Sequence, residues 1–97
     1  MYGPGTIVSA AADRQLSTSL AGVVVILALE DGFYYQLEGV GVRVWELLQR
    51  PQRVSDLVDR IVAEYDVTPE TAQADIARLL DDLAAHRLVT IDGPIHS

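Results

Sequence analysis

Residues 30–48 read EDGFYYQLEGVGVRVWELL, and the fold turns on the change of period inside that stretch. In its first half Phe33, Tyr35 and Leu37 alternate with Tyr34 and Gln36, the two-residue repeat of a strand. After Gly39 the repeat becomes helical: Gly41, Val44, Trp45 and Leu48 fall on one stripe, with Val40 and Leu47 beside it. Pro51 ends that helix. Upstream, Val23 to Leu29 is a β-prone run, and Asp31-Gly32 between two such runs signals a hairpin, because glycine accepts the positive φ of a tight turn. Phe33, Tyr35 and Leu37 are expected on the core face. A slip of one residue would exchange the two sets, so the pattern leaves open which set meets a ligand.

Working outward, Leu20 to Leu29 is the longest apolar run, too short for a membrane span, and reads as a strand buried on both faces. A short polar strand is expected over about Gln15 to Ser19. Residues 1–14, with Gly3-Pro4-Gly5 and an alanine triplet, read as a flexible arm, with Ile7 and Val8 able to pin it to the domain. On the other side, Val54, Leu57, Val58, Ile61, Val62 and Tyr65 follow the spacing of an amphipathic helix. Thr68-Pro69 is an N-cap followed by proline at the first helical position. It opens a third helix to about Arg87, with Ala72, Ile76, Leu79, Leu80 and Leu83 as its apolar line. Leu88 to Ile91 is an extended segment able to return to the sheet, and Gly93-Pro94 stops it. Strands first and helices after make an α+β domain, a small antiparallel three-stranded sheet on three helices with a winged helix-turn-helix-like order. The expected division is an arm at 1–14, one domain at 15–91 and a tail at 92–97.

The chain has 97 residues, enough for one small domain, and 49% of them are hydrophobic. It has no cysteine, which excludes disulfides, thiolate zinc sites and a cysteine nucleophile. Acidic residues outnumber basic ones 14 to 7, every basic one is arginine, and the net charge is −7. That balance opposes non-specific binding to nucleic acid or to an anionic membrane. With no basic n-region or apolar h-region at Met1 to Thr6, a cytoplasmic location is expected.

No catalytic constellation emerges. His86 and His96 are the only side chains suited to proton transfer near neutral pH, and no metal-ligand spacing joins them. His86, at the end of the third helix, is expected to favour the helix dipole. Gly39-Val40-Gly41 lacks the other glycines and the lysine of a phosphate loop. The paired carboxylates Asp81-Asp82 and Asp56 with Asp59 read as solvated helix faces. Trp45, on the apolar stripe, reads as a core residue. No cofactor or metal is expected, and the chain reads as a binding module rather than an enzyme.

An ordered set of phrases is more specific: Asp31-Gly32 with Tyr34-Tyr35 and Leu37, then Gly41 with Trp45 and Leu47-Leu48, Val54 to Val58, Glu64-Tyr65-Asp66-Val67, and Asp75-Ile76 with Leu79-Leu80 and Leu83, closed by Arg87-Leu88-Val89. Over about residues 15–91 it resembles the PqqD-like family, the RiPP recognition elements of ribosomally made, post-translationally modified peptides. Two positions depart from the family pattern: Arg87 stands where glycine is frequent, and Arg53 where a threonine cap is common.

The resemblance implies a three-stranded sheet packed on three helices that binds the leader of a precursor peptide as a further strand, in a groove closed by the third helix. It implies as partners that precursor peptide and a leader peptidase or other maturation enzyme. Free-standing versions act in lasso-peptide clusters, in pyrroloquinoline quinone synthesis and beside radical-SAM maturases. The peptide-binding residues expected on this basis are Phe33, Tyr34, Tyr35, Gln36 and Leu37 on the strand, with Tyr34 and Gln36 foremost. On the helix they are Asp75, Arg78, Leu79 and Asp82. The alternatives are a winged-helix DNA-binding regulator, an accessory subunit that never meets peptide, and a homodimer formed through the same edge. The DNA-binding reading sits poorly with a third helix carrying Glu70, Asp75, Asp81 and Asp82 against Arg78 and Arg87.

Overall fold

The computed structural model describes residue 3 and residues 5–92. The elements run β1 (Ile7–Ala10), β2 (Gln15–Leu20), β3 (Val23–Ala28), β4 (Tyr34–Leu37), α1 (Val40–Leu47), β5 (Gln52–Arg53), α2 (Val54–Glu64), α3 (Pro69–Ala85) and β6 (Val89–Asp92). They form two antiparallel sheets, ordered β2-β3-β4 and β5-β1-β6, around three helices. His96, the Gly93-Pro94 stop and all but the first residue of the expected tail lie outside the described residues. Among the described residues no helix is long and apolar enough to cross a membrane.

The second sheet corrects two expectations. The segment read as a flexible arm contains β1, the middle strand of that sheet, with Val8 completely buried. Alternating Ile7-Val8 supplies the ladder partners that β6 needs, in the register Val8↔Ile91 and Ala10↔Val89. The returning segment after α3 therefore joins β1 and not the hairpin sheet. The two-residue strand β5 was not anticipated; it pairs with β1 immediately before α2, and the Val54 N–H donates to the Thr6 carbonyl at 2.9 Å.

The run at 20–29 also differs from its reading. Ala21 and Gly22 both have positive φ, so the run is a strand end, a tight turn and a new strand, closed by the pair Leu20↔Val23. Only one face of β3 is fully buried, by Val24, Ile26 and Ala28; Val23, Val25 and Leu27 are half-buried. The outer face is flanked by side chains of the neighbouring strands, Leu16, Leu20 and Tyr34, rather than covered by a layer. The hairpin from β3 to β4 forms as expected, with Gly32 at φ 69°, but its loop is longer than a two-residue primed turn. The Ala28 N–H donates to the Phe33 carbonyl at 2.8 Å, and the Asp31 carboxylate accepts from the Phe33 N–H at 3.0 Å.

The helices pack as their apolar stripes require. Val44, Trp45 and Leu48, Leu57 and Ile61, and Ile76, Leu80 and Leu83 meet the inner face of the hairpin sheet and the buried residues of β1 and β6 in one core. Trp45 is 3% exposed and its indole N–H donates to Ser17 Oγ at 3.4 Å. Thr68 caps α3 by accepting from the Thr71 N–H at 3.2 Å. Arg43 grips both carboxylate oxygens of Glu64, at 2.8 and 3.1 Å, which ties α1 to the end of α2. Those hydrogen bonds hold the Glu64 carboxyl below its ordinary pKa.

α3 ends in a doubly hydrogen-bonded C-terminal turn: Arg87 N–H to Ala84 O at 3.0 Å and Leu88 N–H to Leu83 O at 2.9 Å. Arg87 occupies the left-handed position, φ 59°, where glycine is favoured. Its side chain makes up part of that cost by pairing with Glu30 at 2.9 Å across the hairpin loop. His86, at the helix C-cap, stacks on Phe33 with ring centroids 3.9 Å apart, so it holds the hairpin to the helix end.

Two stability measurements check this account. Arg87→Gly should be more stable than Arg87→Ala by about 1 kcal/mol in chemical denaturation, because only glycine relieves the left-handed strain; equal midpoints would contradict it. Trp45→Ala should cost about 3–5 kcal/mol, most of the stability of so small a domain, and give a partly unfolded circular-dichroism spectrum.

Candidate functional site

β4 is an edge strand: it pairs with β3 in the register Ile26↔Tyr35 and Val24↔Leu37, and no described strand pairs with its other side. The register fixes where its main-chain groups point. The Ala28 N–H donates to the Phe33 carbonyl and the Leu29 N–H donates to the Arg14 carbonyl on the opposite side. Antiparallel ladders alternate, so Phe33, Tyr35 and Leu37 turn their main-chain groups toward β3. Tyr34 and Gln36 turn theirs to the open edge. The side chains alternate as well: Leu37 is buried, Tyr35 half-buried, and Tyr34 is 67% exposed.

α3 runs beside this edge, and between them lies a cleft of about 380 Å³. Leu37, Val40, Gly41, Val44, Ile76 and Leu79 form its apolar floor. Gln36, Glu38, Asp75, Arg78 and Asp82 form its rim. The turn from β4 into α1 depends on Gly39, whose φ of 58° and ψ of −128° is a conformation for glycine. Gly41 keeps the floor open, since a Cβ there would come within 3.4 Å of Leu37 and 4.0 Å of Leu79.

On the rim, Arg78 pairs with Asp75 at 3.3 Å, and the Gln36 amide donates to Glu38 at 2.9 Å. Asp82 accepts from the Tyr35 hydroxyl at 3.2 Å, linking strand to helix. Burial raises the Tyr35 pKa above its ordinary 10.0, and the neighbouring Asp82 charge and hydrogen bond raise it further.

Of the nine residues expected to bind peptide, Gln36, Leu37, Asp75, Arg78, Leu79 and Asp82 line the cleft. Tyr35 borders it through Asp82. Phe33 is turned toward His86 and not into the cleft, and Tyr34 points out on the opposite face of the sheet. Sequence reading missed Glu38, Val40, Gly41, Val44 and Ile76 as lining residues. Val44 and Ile76 lie on the apolar stripes of α1 and α3 and serve the core as well. The paired glycines were the available signal: Gly39 takes the positive φ of the turn, and Gly41 presents no side chain to the floor beside Leu37 and Leu79.

Comparison with known proteins fits this geometry. The family description "Coenzyme PQQ synthesis protein D (PqqD)" matches residues 24–89. The chain belongs to the PqqD family. Among solved structures, TbiB1 in complex with the TbiA(beta) leader peptide superposes on this PqqD-family chain with a TM-score of 0.76 at 35% identity, covering 89% of this chain and 96% of that one. A lasso peptide synthetase B1 complexed with the leader peptide shares the fold, with a TM-score of 0.71 at 22% identity over 79% of this chain and 91% of that one. Among curated proteins no sequence matches.

The Tyr35–Asp82 contact gives a testable pH dependence. With its folded pKa raised, Tyr35 holds its proton more tightly in the folded state. That stabilisation is complete below pH 10.0 and is lost as pH rises through the folded value. In a tyrosinate absorbance titration, Asp82→Asn should bring the last-ionising tyrosine down, while burial keeps it above an exposed phenol. An unchanged titration would contradict the contact.

Proposed function

We propose that this chain is a non-catalytic recognition element that binds the leader of a ribosomally synthesised precursor peptide by strand addition at β4 and presents it to separate processing enzymes. The observation that carries the reading is the conjunction of an open strand edge with a helix-walled cleft directly beside it. Main-chain bonds at Tyr34 and Gln36 supply affinity that tolerates sequence variation, and the cleft supplies selection of side chains. β2, the other edge of this sheet, exposes Leu16, Ser17, Thr18, Ser19 and Leu20, and none of them lines the cleft. The leader-peptide complexes among the structural relatives support the same reading, and TbiB1, at 35% identity over most of both chains, favours the lasso-peptide setting over pyrroloquinoline quinone or radical-SAM maturation.

In that setting the partner enzyme is a leader peptidase or cyclase, and the site of action is the cytoplasm, where precursor peptides are made. The nine residues named from the sequence divide by role. Gln36, Leu37, Asp75, Arg78, Leu79 and Asp82 contact the leader's side chains. Tyr34 and Gln36 bind its backbone. Phe33 and Tyr35 brace the strand. Pairing of two copies through the β4 edge would compete with leader binding. DNA binding is disfavoured by the acidic surface of α3, where Arg78 is the single guanidinium beside Glu70, Asp75, Asp81 and Asp82.

Gln36→Pro is the selective test. Residue 36 turns its N–H away from β3, so proline there removes a donor to the incoming strand and no bond of the existing ladder. Fluorescence polarisation with a labelled leader peptide should give a dissociation constant between about nanomolar and micromolar for the native protein. Gln36→Pro should weaken it at least about tenfold with circular dichroism unchanged. Full binding by a folded Gln36→Pro protein would rule out strand addition.

A further inference from the structure

The two walls of the cleft run in opposite directions. Phe33 stacks on His86, the Tyr35 hydroxyl reaches Asp82, and Leu37 and Leu79 converge beside Gly41. The cleft is therefore graded along its length. Its apolar floor lies at the Leu37–Leu79 end, between Val40, Gly41, Val44 and Ile76. One turn along α3 toward the hairpin comes Asp82, exposed on the rim.

Charge on the rim is unequal in kind as well as in number. Three carboxylates, Glu38, Asp75 and Asp82, face one guanidinium, Arg78. Arg78 is already committed to Asp75. The partner of Asp82 is the neutral Tyr35 hydroxyl, and among the described residues no cation lies within ion-pair distance of it. A tyrosine hydroxyl occupies one lone pair of a carboxylate and leaves its charge uncompensated.

Spacing completes the argument. Leu79 and Asp82 are three residues apart on a helix, an axial step of about 4.5 Å. Two residues of an extended strand advance about 6.8 Å and return the side chain to the same face; the difference of about 2 Å lies within the reach of a long lysine or arginine side chain. A strand laid on β4 that drops one side chain between Leu37 and Leu79 brings the side chain two positions nearer the hairpin to Asp82.

Resting on the strand-addition reading above, we propose that the bound segment is selected as an apolar anchor with a lysine or arginine two residues away, the anchor filling the floor and the cation pairing with Asp82. Asp82 is thus a specificity-determining residue for charge, and Asp75 is not, because Arg78 neutralises it.

A displayed library of random twelve-residue peptides selected on the native protein tests this. Peptides retained by the native protein and lost on Gln36→Pro are strand-adders. Among them, lysine or arginine should be enriched two positions from an apolar residue. For a representative peptide, Asp82→Asn, which keeps the acceptor for Tyr35, should weaken binding about fivefold, and the difference should shrink in high salt. Asp82→Arg should shift the enrichment to aspartate and glutamate, and Asp59→Asn, on α2 and outside the cleft, should leave it unchanged. Strand-adders without a cation at that spacing, or with a preference indifferent to Asp82, would overturn the charge rule and leave strand addition standing. Retained peptides that bind Gln36→Pro equally well, or no retained peptides, would overturn both.

Discussion

An antiparallel strand paired on one side only must aim every second N–H and C=O away from its sheet, and in β4 that constraint falls on Tyr34 and Gln36. The same register turns the Tyr35 and Leu37 side chains inward. Leu37 becomes floor and Tyr35 reaches across to Asp82. One choice of pairing with β3 thus orients both the main-chain template and the walls of the cleft. A slip of a single residue would bury Tyr34 and Gln36 and destroy the floor. The other features serve to hold that register against α3. The Ala28–Phe33 bond and the Asp31 side chain close the hairpin, Gly39 reverses the chain into α1, and the His86–Phe33 stack with the Arg87–Glu30 pair fastens the hairpin to the helix end.

Such an arrangement explains why a domain without cysteine can work with very little chemistry. Its binding energy comes from backbone donors and acceptors already fixed by folding, so little conformational entropy remains to be lost on the protein's side. Its selectivity comes from a short apolar floor and an unequal rim. The acidic composition, which at first only excludes nucleic acid and membranes, acquires a location: carboxylates stand along the edge of α3 that faces the open strand.

Much of this was legible in the sequence. The shift from a two-residue to a helical period at Gly39 placed β4 and α1, and Thr68-Pro69 placed the start of α3. The spacing of Asp75, Arg78, Leu79 and Asp82 put them on one stripe, which by spacing alone reads as a solvated helix face; the family resemblance turned it toward the cleft that these residues line. What escaped was long-range. The partnership of β1 with β6 joins residues at opposite ends of the chain, and no local pattern marks it. The Ala21-Gly22 turn was hidden because alanine is seldom found at positive φ. Phe33 fits the alternation of an inward strand residue, yet it lies just before β4 and turns to His86, a contact that only the end of α3 could determine. The lining role of Val44 and Ile76 was masked by their core role, since a buried side chain at the base of a groove looks no different in sequence from one in the interior.

The most direct measurement is residue-resolved amide hydrogen exchange of the protein with and without leader peptide. Strand addition at β4 predicts slowed exchange at Tyr34 and Gln36, with little change at Tyr35 and Leu37, whose N–H groups already face β3. Protection without that alternation, or protection confined to another surface, would contradict the account.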